Sequence, residues 1–256
     1  MQRYFLEVAY KGTNYSGFQV QANANTIQAE VEKALAVLFR EPFQLTGSSR
    51  TDAGVHALQN FFHFDSPVEI LPKSIYNLNS ILPADIVAKG IYSVNNDSHC
   101  RFNAGSREYE YRVFNEKNPF LQQTAYYFPY KVDMEKLQAA AELIKNYIDF
   151  TSFSKRNTQA KTNFCSITHS QWSLQNGYLV YNITGNRFLR GMVRGLVATM
   201  LKAARGQLTI EQFKTVIESR NCINADFSAP SHGLFLMKVN YSSDVLLLSQ
   251  EHGHFL

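Results

Sequence analysis

The sequence predicts an α/β (α+β) fold of two similar halves that share a continuous sheet, and three observations point there. Strand-like alternation and helix-like periodicity follow one another as strand, helix, strand in both halves at similar spacing. No low-complexity linker and no sequence-level repeat separates them. No apolar run approaches the roughly 20 residues that a membrane-spanning helix needs. The texture changes near Cys100, so the halves are taken as 1–104 and 105–256.

In the first half, Tyr4 to Tyr10 alternates and is rich in aromatic and β-branched residues, a strand. Lys11 to Gln21 is a loop of turn formers and polar groups. Thr26 suits an N-cap, and Ile27, Val31, Ala34, Leu35 and Leu38 then recur at helical spacing until Pro42 forbids continuation. The loop Gly47 to Ala57 leads into a strand through Phe61 and Phe64. Pro72 through Leu82 reads as a helix closed by Pro83, and Ile86 to Val94 as another strand.

The second half opens with a loop from Arg101 that becomes a strand, with Tyr109, Tyr111 and Val113 on one face. Asp133 caps a helix carrying Met134, Leu137, Ala141 and Ile144. Strands follow near Phe164 to Trp172 and Tyr178 to Thr184. A helix is expected from about Phe188 to Ala204, with Leu189, Val193, Leu196 and Met200 as its buried stripe. On that helix Arg187, Arg190 and Arg194, at i, i+3 and i+7, would share one face. Thr209-Ile210-Glu211-Gln212 is a capping box for a last short helix, and Leu234 to Tyr241 is the closing strand.

Hydrophobic residues make up 45% of the chain and charged residues 18%, ordinary for a globular protein. Met1 to Phe5 reads as the start of a strand and not as a signal peptide, so a cytoplasmic location is expected. Cys100, Cys165 and Cys222 form no CxxC or Cys/His spacing, so neither a disulfide framework nor a zinc site is expected. His252 and His254 resemble a chelating pair but read as a tail. A net charge of +4 permits an anionic partner.

The chemistry concentrates in Gly47-Ser48-Ser49-Arg50-Thr51-Asp52-Ala53-Gly54-Val55-His56-Ala57. Asp52 can be a nucleophile or base, with Arg50 as a nearby counter-ion; a surface turn with a capping Asp would look similar. No GxGxxG, GxxxxGK[ST] or GxSxG motif is present, and no second carboxylate sits beside Asp52 to make a metal-binding or glycosidase-like pair. Nucleophilic or proton-transfer work without a metal is the expectation. Basic residues interleaved with aromatics (Lys155, Arg156, Lys161 and the arginines 187, 190 and 194, beside Phe150, Phe153 and Phe164) suit RNA.

These residues resemble the TruA-type tRNA pseudouridine synthases over nearly the whole chain. Ser49 to His56 is similar to the family's active-site motif, and Tyr10 to Gln21 to its first motif. Arg101-Phe102-Asn103-Ala104 leading to Arg107, Tyr109 and Tyr111 is similar to its second. Asp149 to Phe153, Phe188 with Met192-Val193-Arg194, and Ala229 to Leu236 follow in order. The resemblance implies two α/β halves around a mainly antiparallel central sheet with flanking helices, acting as a homodimer. It implies conversion of uridine to pseudouridine at positions 38, 39 and 40 of the tRNA anticodon stem-loop, without cofactor or metal. By the same resemblance Asp52 is the catalytic nucleophile, Arg50 helps flip the target nucleotide, Tyr109 stacks on the uracil, and Arg194 pairs with Asp52. Arg107, Tyr111, Arg187 and Arg190 complete the RNA-binding set.

The chain departs from the family pattern at Lys11 (usually Asp), Phe18 (usually Trp), Ser49 (usually Gly), and Gly191 and Gly195 (usually bulkier and polar). Three other readings are a noncatalytic RNA-binding or tRNA-folding module on the same scaffold, an aspartyl-nucleophile hydrolase, and a paralogue acting on other uridines in RNA. The first predicts loss of the catalytic aspartate, the second additional clustered carboxylates; Asp52 is present and no such cluster is.

Overall fold

The computed structural model describes residues 1–156, 161–175 and 177–246; the histidine pair 252 and 254 lies outside the described residues. The protein is mixed α/β, with a large, mostly antiparallel sheet and flanking helices. It divides into two compact units, Met1–Ser106 with Leu236–Leu256, and Arg107–Phe235. The first unit therefore includes most of the closing strand, which the expected division at residue 104 left with the second half.

In the first unit β1 (Gln2–Tyr10) lies between β4 (Ile86–Val94) and β3 (His56–Ser66), antiparallel to both. The two-residue strand β2 (Thr46–Gly47) pairs with β3, and β9 (Leu234–Tyr241) is next to β3 in strand order. Phe5, Leu6 and Val8, from both faces of β1, are fully buried, so this strand is covered on both sides. Helix α1 (Ile27–Phe39) starts where expected: Thr26 is extended and its hydroxyl accepts from Ala29 N–H. It stops at Arg40, which takes a left-handed conformation (φ 59°). Helix α2 (Ser74–Ile81) packs on α1 and β4 and ends two residues before Pro83.

In the second unit β5 (Ala104–Phe114), β8 (Tyr178–Gly185) and β7 (Ile167–Gln175) are adjacent and antiparallel, with β6 (Tyr126–Tyr127) parallel to β5. The expected strand near Phe164 begins three residues later; Phe164 makes only an isolated bridge to Asp149. Helix α3 (Met134–Ile144) is capped by Asp133, whose carboxylate accepts from Glu135 and Lys136 N–H. Helix α5 (Ile210–Glu218) has both hydrogen bonds of the Thr209–Gln212 capping box. The short helix α6 (Ser243–Leu246) follows β9.

Helix α4 (Met192–Ala204) corrects an expectation. It begins at Met192, not Phe188, because Gly191 adopts φ +74° and interrupts the helix there. Arg187 and Arg190 therefore lie in the preceding loop, and the three arginines share no helix face. Nor is α4 amphipathic: every residue of it except Arg194 and Lys202 is buried, as in a helix packed from all sides. Gly195 permits that packing, since a Cβ there would lie 2.8 Å from Phe227 and 3.3 Å from Phe153.

Candidate active site

The Asp52 loop in the first unit is fixed by buried polar contacts. The Tyr10 phenol and the Thr51 hydroxyl lie 2.7 Å apart. Asn60, fully buried in β3, donates to Tyr10 Oη (3.2 Å) and to the Ser49 carbonyl (2.8 Å), and its side-chain oxygen accepts from Ser49 N–H. Ser48 N–H donates to the Phe61 carbonyl and Val55 N–H to the Asp52 carbonyl. Ser48, Ser49, Thr51, Val55 and His56 are thereby buried, whereas Arg50 is exposed and Asp52 partly exposed. The two charged residues flank buried Thr51 and reach solvent. Asn60 carried no motif; its only signal was an amide at a buried position beside Phe61 and Phe62.

The loop after β1 locks onto this one. A Cβ on Gly12 would stand 2.0 Å from the Val55 carbonyl oxygen, so only glycine fits. Gly12 N–H donates to His56 Nδ1, and Phe18 N–H to the Thr51 carbonyl. Gly17, at φ +106°, lies against the Thr51–Ala53 backbone. Tyr15 hydrogen-bonds Asp85, and burial together with that carboxylate raises the phenol's pKa. The departure Phe18 stacks on Phe62 (4.5 Å, 10°), and Gly47 makes room for its ring. The departure Ser49 has a buried hydroxyl that finds no partner among the described residues.

In the second unit Arg107, Tyr109 and Tyr111 alternate onto one face of β5. Tyr109 is half-buried, and its ring meets Phe188 edge-on at 5.1 Å and 82°. Arg107 is buried and donates to the Asn186 carbonyl at 2.8 Å, fixing the loop that carries Arg187 and Phe188. Tyr111 is fully buried and donates to the Pro230 carbonyl at 2.7 Å; burial pushes its pKa well up, with Arg194 opposing. Arg194 Nε donates to the Ala229 carbonyl at 2.7 Å. Burial lowers the pKa of His232, against the pull of the Ala125 carbonyl, and Arg194 adds to the lowering. Tyr111, Arg194 and His232 thus gather around segment 229–233.

Arg187 is half-buried and donates to Thr162; Arg190 is exposed and its carbonyl accepts from Lys155 N–H. A Cβ on Gly191 would be 3.0 Å from the Lys155 stem, which explains the small residue there. Cysteine spacing points to no ligand cluster, yet the fold brings His63, His99 and Cys100 together, with their potential ligand atoms within 4.8 Å of one another. That is the only such group among the described residues. None of the three cysteines is in a disulfide.

Known proteins give these residues a context. The sequence model of a family described as tRNA pseudouridine synthase matches residues 7–103 and 146–242. The chain is 43% identical to tRNA pseudouridine synthase A of Parabacteroides distasonis over 247 residues, 96% of this chain and 98% of that one. It is also 43% identical to the protein of the same name from Porphyromonas gingivalis, across 96% of this chain and all of that one. With that from Anoxybacillus flavithermus the identity is 36%, covering 95% and 100%.

Proposed function

The chain belongs to the tRNA pseudouridine synthase family and is thereby an isomerase of uridine in tRNA, and we propose that Asp52 is its nucleophile and the anticodon stem-loop its target. One observation carries the assignment of Asp52: the loop is held rigid by buried hydrogen bonds while Arg50 and Asp52 keep access to solvent. A nucleophile on such a support needs little reorganisation when substrate arrives.

In this reading Arg50 enters the helix stack as the target nucleotide leaves it. The Asp52 carboxylate attacks the uridine, the N1–C1′ bond breaks, and the uracil turns and rejoins through C5 as the bond to Asp52 breaks and the carboxylate is regenerated. The C5 proton is released and N1 gains one, so the product is an isomer of the substrate. Tyr109, its ring steadied edge-on by Phe188, is the surface against which the free uracil lies. Arg194 balances the charge on Asp52. Arg187 and Arg190 bind phosphate. Arg107 and Tyr111, both buried and bonded to backbone carbonyls, act by holding the loops around residues 186 and 230. The same reading makes the protein a cytoplasmic homodimer that uses no cofactor in the reaction.

The test is tritium release from tRNA transcripts labelled at uridine C5. Wild type should release tritium from anticodon stem-loop uridines. Asp52→Asn should release none while binding the same tRNA. Release by Asp52→Asn would remove Asp52 as nucleophile, and binding without release by wild type would favour a noncatalytic RNA-binding module.

A further inference from the structure

Away from the Asp52 loop, the first unit brings two imidazoles and a thiol together. His63 in β3 and His99 in the turn before β5 meet edge-on, ring centroids 4.5 Å apart, and Cys100 Sγ is 3.2 Å from His63 Nδ1. Backbone N–H groups of Cys100 and Arg101 donate to Nδ1 of His63 and of His99, so without an ion each ring's lone pair is engaged at Nδ1, and metal binding exchanges that hydrogen bond for a coordinate bond. Cys100 and His63 are buried and His99 is partly open, giving an ion a way in. The Thr46 carbonyl oxygen, which accepts from the Cys100 thiol at 3.1 Å, is a fourth candidate ligand. Arg3 Nη1 donates to the nearby Ser98 carbonyl, while its Nε and Nη2 both donate to Asp65 at 2.8 Å, which offsets its charge.

We propose that His63, His99 and Cys100 form a zinc(II) site that fastens the turn at residues 99–100 to β3. Two imidazoles and a thiolate are a zinc donor set, and hard cations such as magnesium would not choose it. With zinc–nitrogen bonds of about 2.0 Å and a zinc–sulfur bond of about 2.3 Å, the ligand atoms would stand roughly 3.3–3.5 Å apart. The observed set, all within 4.8 Å, closes on an ion by shifts of about an ångström. Binding replaces the Cys100 thiol proton, which goes to solvent, and water or the Thr46 carbonyl fills the fourth position. Without the ion the same groups hydrogen-bond one another, so the apo protein folds and zinc adds stability by mass action.

The experiment uses the full chain without an affinity tag, with His252→Ala, His254→Ala and Cys222→Ser in the background to silence other ligands. Cobalt(II) should give tetrahedral d–d bands and a sulfur-to-metal charge-transfer band at one equivalent, and zinc should displace it and raise Tm. Cys100→Ser should lose the charge-transfer band. Cys100 is fully buried and its replacement can unfold the unit, so His99→Ala, at a partly open position, is the second variant. Checked for folding by circular dichroism, it should lose more zinc affinity than the roughly tenfold to hundredfold that a lost supporting contact costs. No tetrahedral cobalt spectrum, or zinc affinity unchanged in folded His99→Ala, would overturn the proposal and leave a hydrogen-bonded cluster with an adventitious ion only.

Discussion

The phenol of Tyr10 and the hydroxyl of Thr51 share a buried 2.7 Å hydrogen bond, which ties the end of β1 to the residue preceding Asp52. Asn60 donates to the same phenol, so one oxygen organises three segments. Tyr10→Phe leaves both Thr51 and Asn60 short of a partner inside the protein. The loss of stability should be about 1–3 kcal/mol. Tritium release should slow by roughly tenfold to a hundredfold if the carboxylate shifts by an ångström. Urea unfolding and single-turnover kinetics on the same variant check both; unchanged kinetics would show that the loop holds its shape without this bond.

Gly12→Ala tests the lock between the two loops. The added methyl would lie 2.0 Å from a backbone oxygen, which cannot rotate away. Destabilisation should reach about 1–3 kcal/mol or more. Gly105→Ala is the control, because its methyl would find nothing nearer than 3.8 Å. Thermal midpoints of the two variants should separate clearly, with only Gly12→Ala falling.

Arg190→Ala probes the phosphate assignment. If the exposed arginine meets the tRNA backbone, affinity should fall similarly for all tRNAs bound. The slope of log affinity against log salt should become shallower by about 0.9, the value for one duplex phosphate contact. Filter binding across a salt series measures it, and a parallel line at lower affinity would remove Arg190 from the contacts.

Acid should find Asp226 in the second unit. Burial resists its ionisation, but Lys202 at 2.9 Å and the Ser228 N–H outweigh that and hold its pKa below the usual carboxylate value of 3.8. A folded pKa below the unfolded one gives stability that is present above the unfolded value and lost as pH falls through the folded one. Stability should therefore decline below about pH 4, and Asp226→Asn should flatten that part of the curve. The effect is moderated by solvent screening of a partly exposed pair. Thermal midpoints between about pH 3 and pH 6 for wild type and Asp226→Asn provide the measurement.

What the sequence discloses is governed by range. Thr26, Asp133 and Thr209 announce helix starts because a cap bonds the backbone two or three residues on, and all three act as caps. Strand β4 is bounded by local alternation and was legible from Ile86 to Val94. The arginine face was not: spacing implies a shared face only inside one continuous helix, and the left-handed Gly191 ends that condition. Asn60 was silent because its partners Tyr10 and Ser49 lie 50 and 11 residues away. The His63–His99–Cys100 group escaped for the same reason, since His63 joins the adjacent pair only through pairing with β2 and the turn beyond β4. In the Asp52 loop the sequence disclosed the chemistry of the side chains; which of them face solvent depended on burial by distant segments.

Helix α4 has consequences for how the second unit opens. A helix exposing only two side chains has almost no solvated backbone flank from which to fray. Its amide hydrogens can exchange with solvent only when the layers around it separate, so their exchange reports the opening of the whole unit. Arg194 sits in its first turn and inherits that coupling: the guanidinium stays beside Ala229 for as long as the unit is closed. Loops around it can breathe on their own timescales, but this residue moves with the largest cooperative event available to its unit.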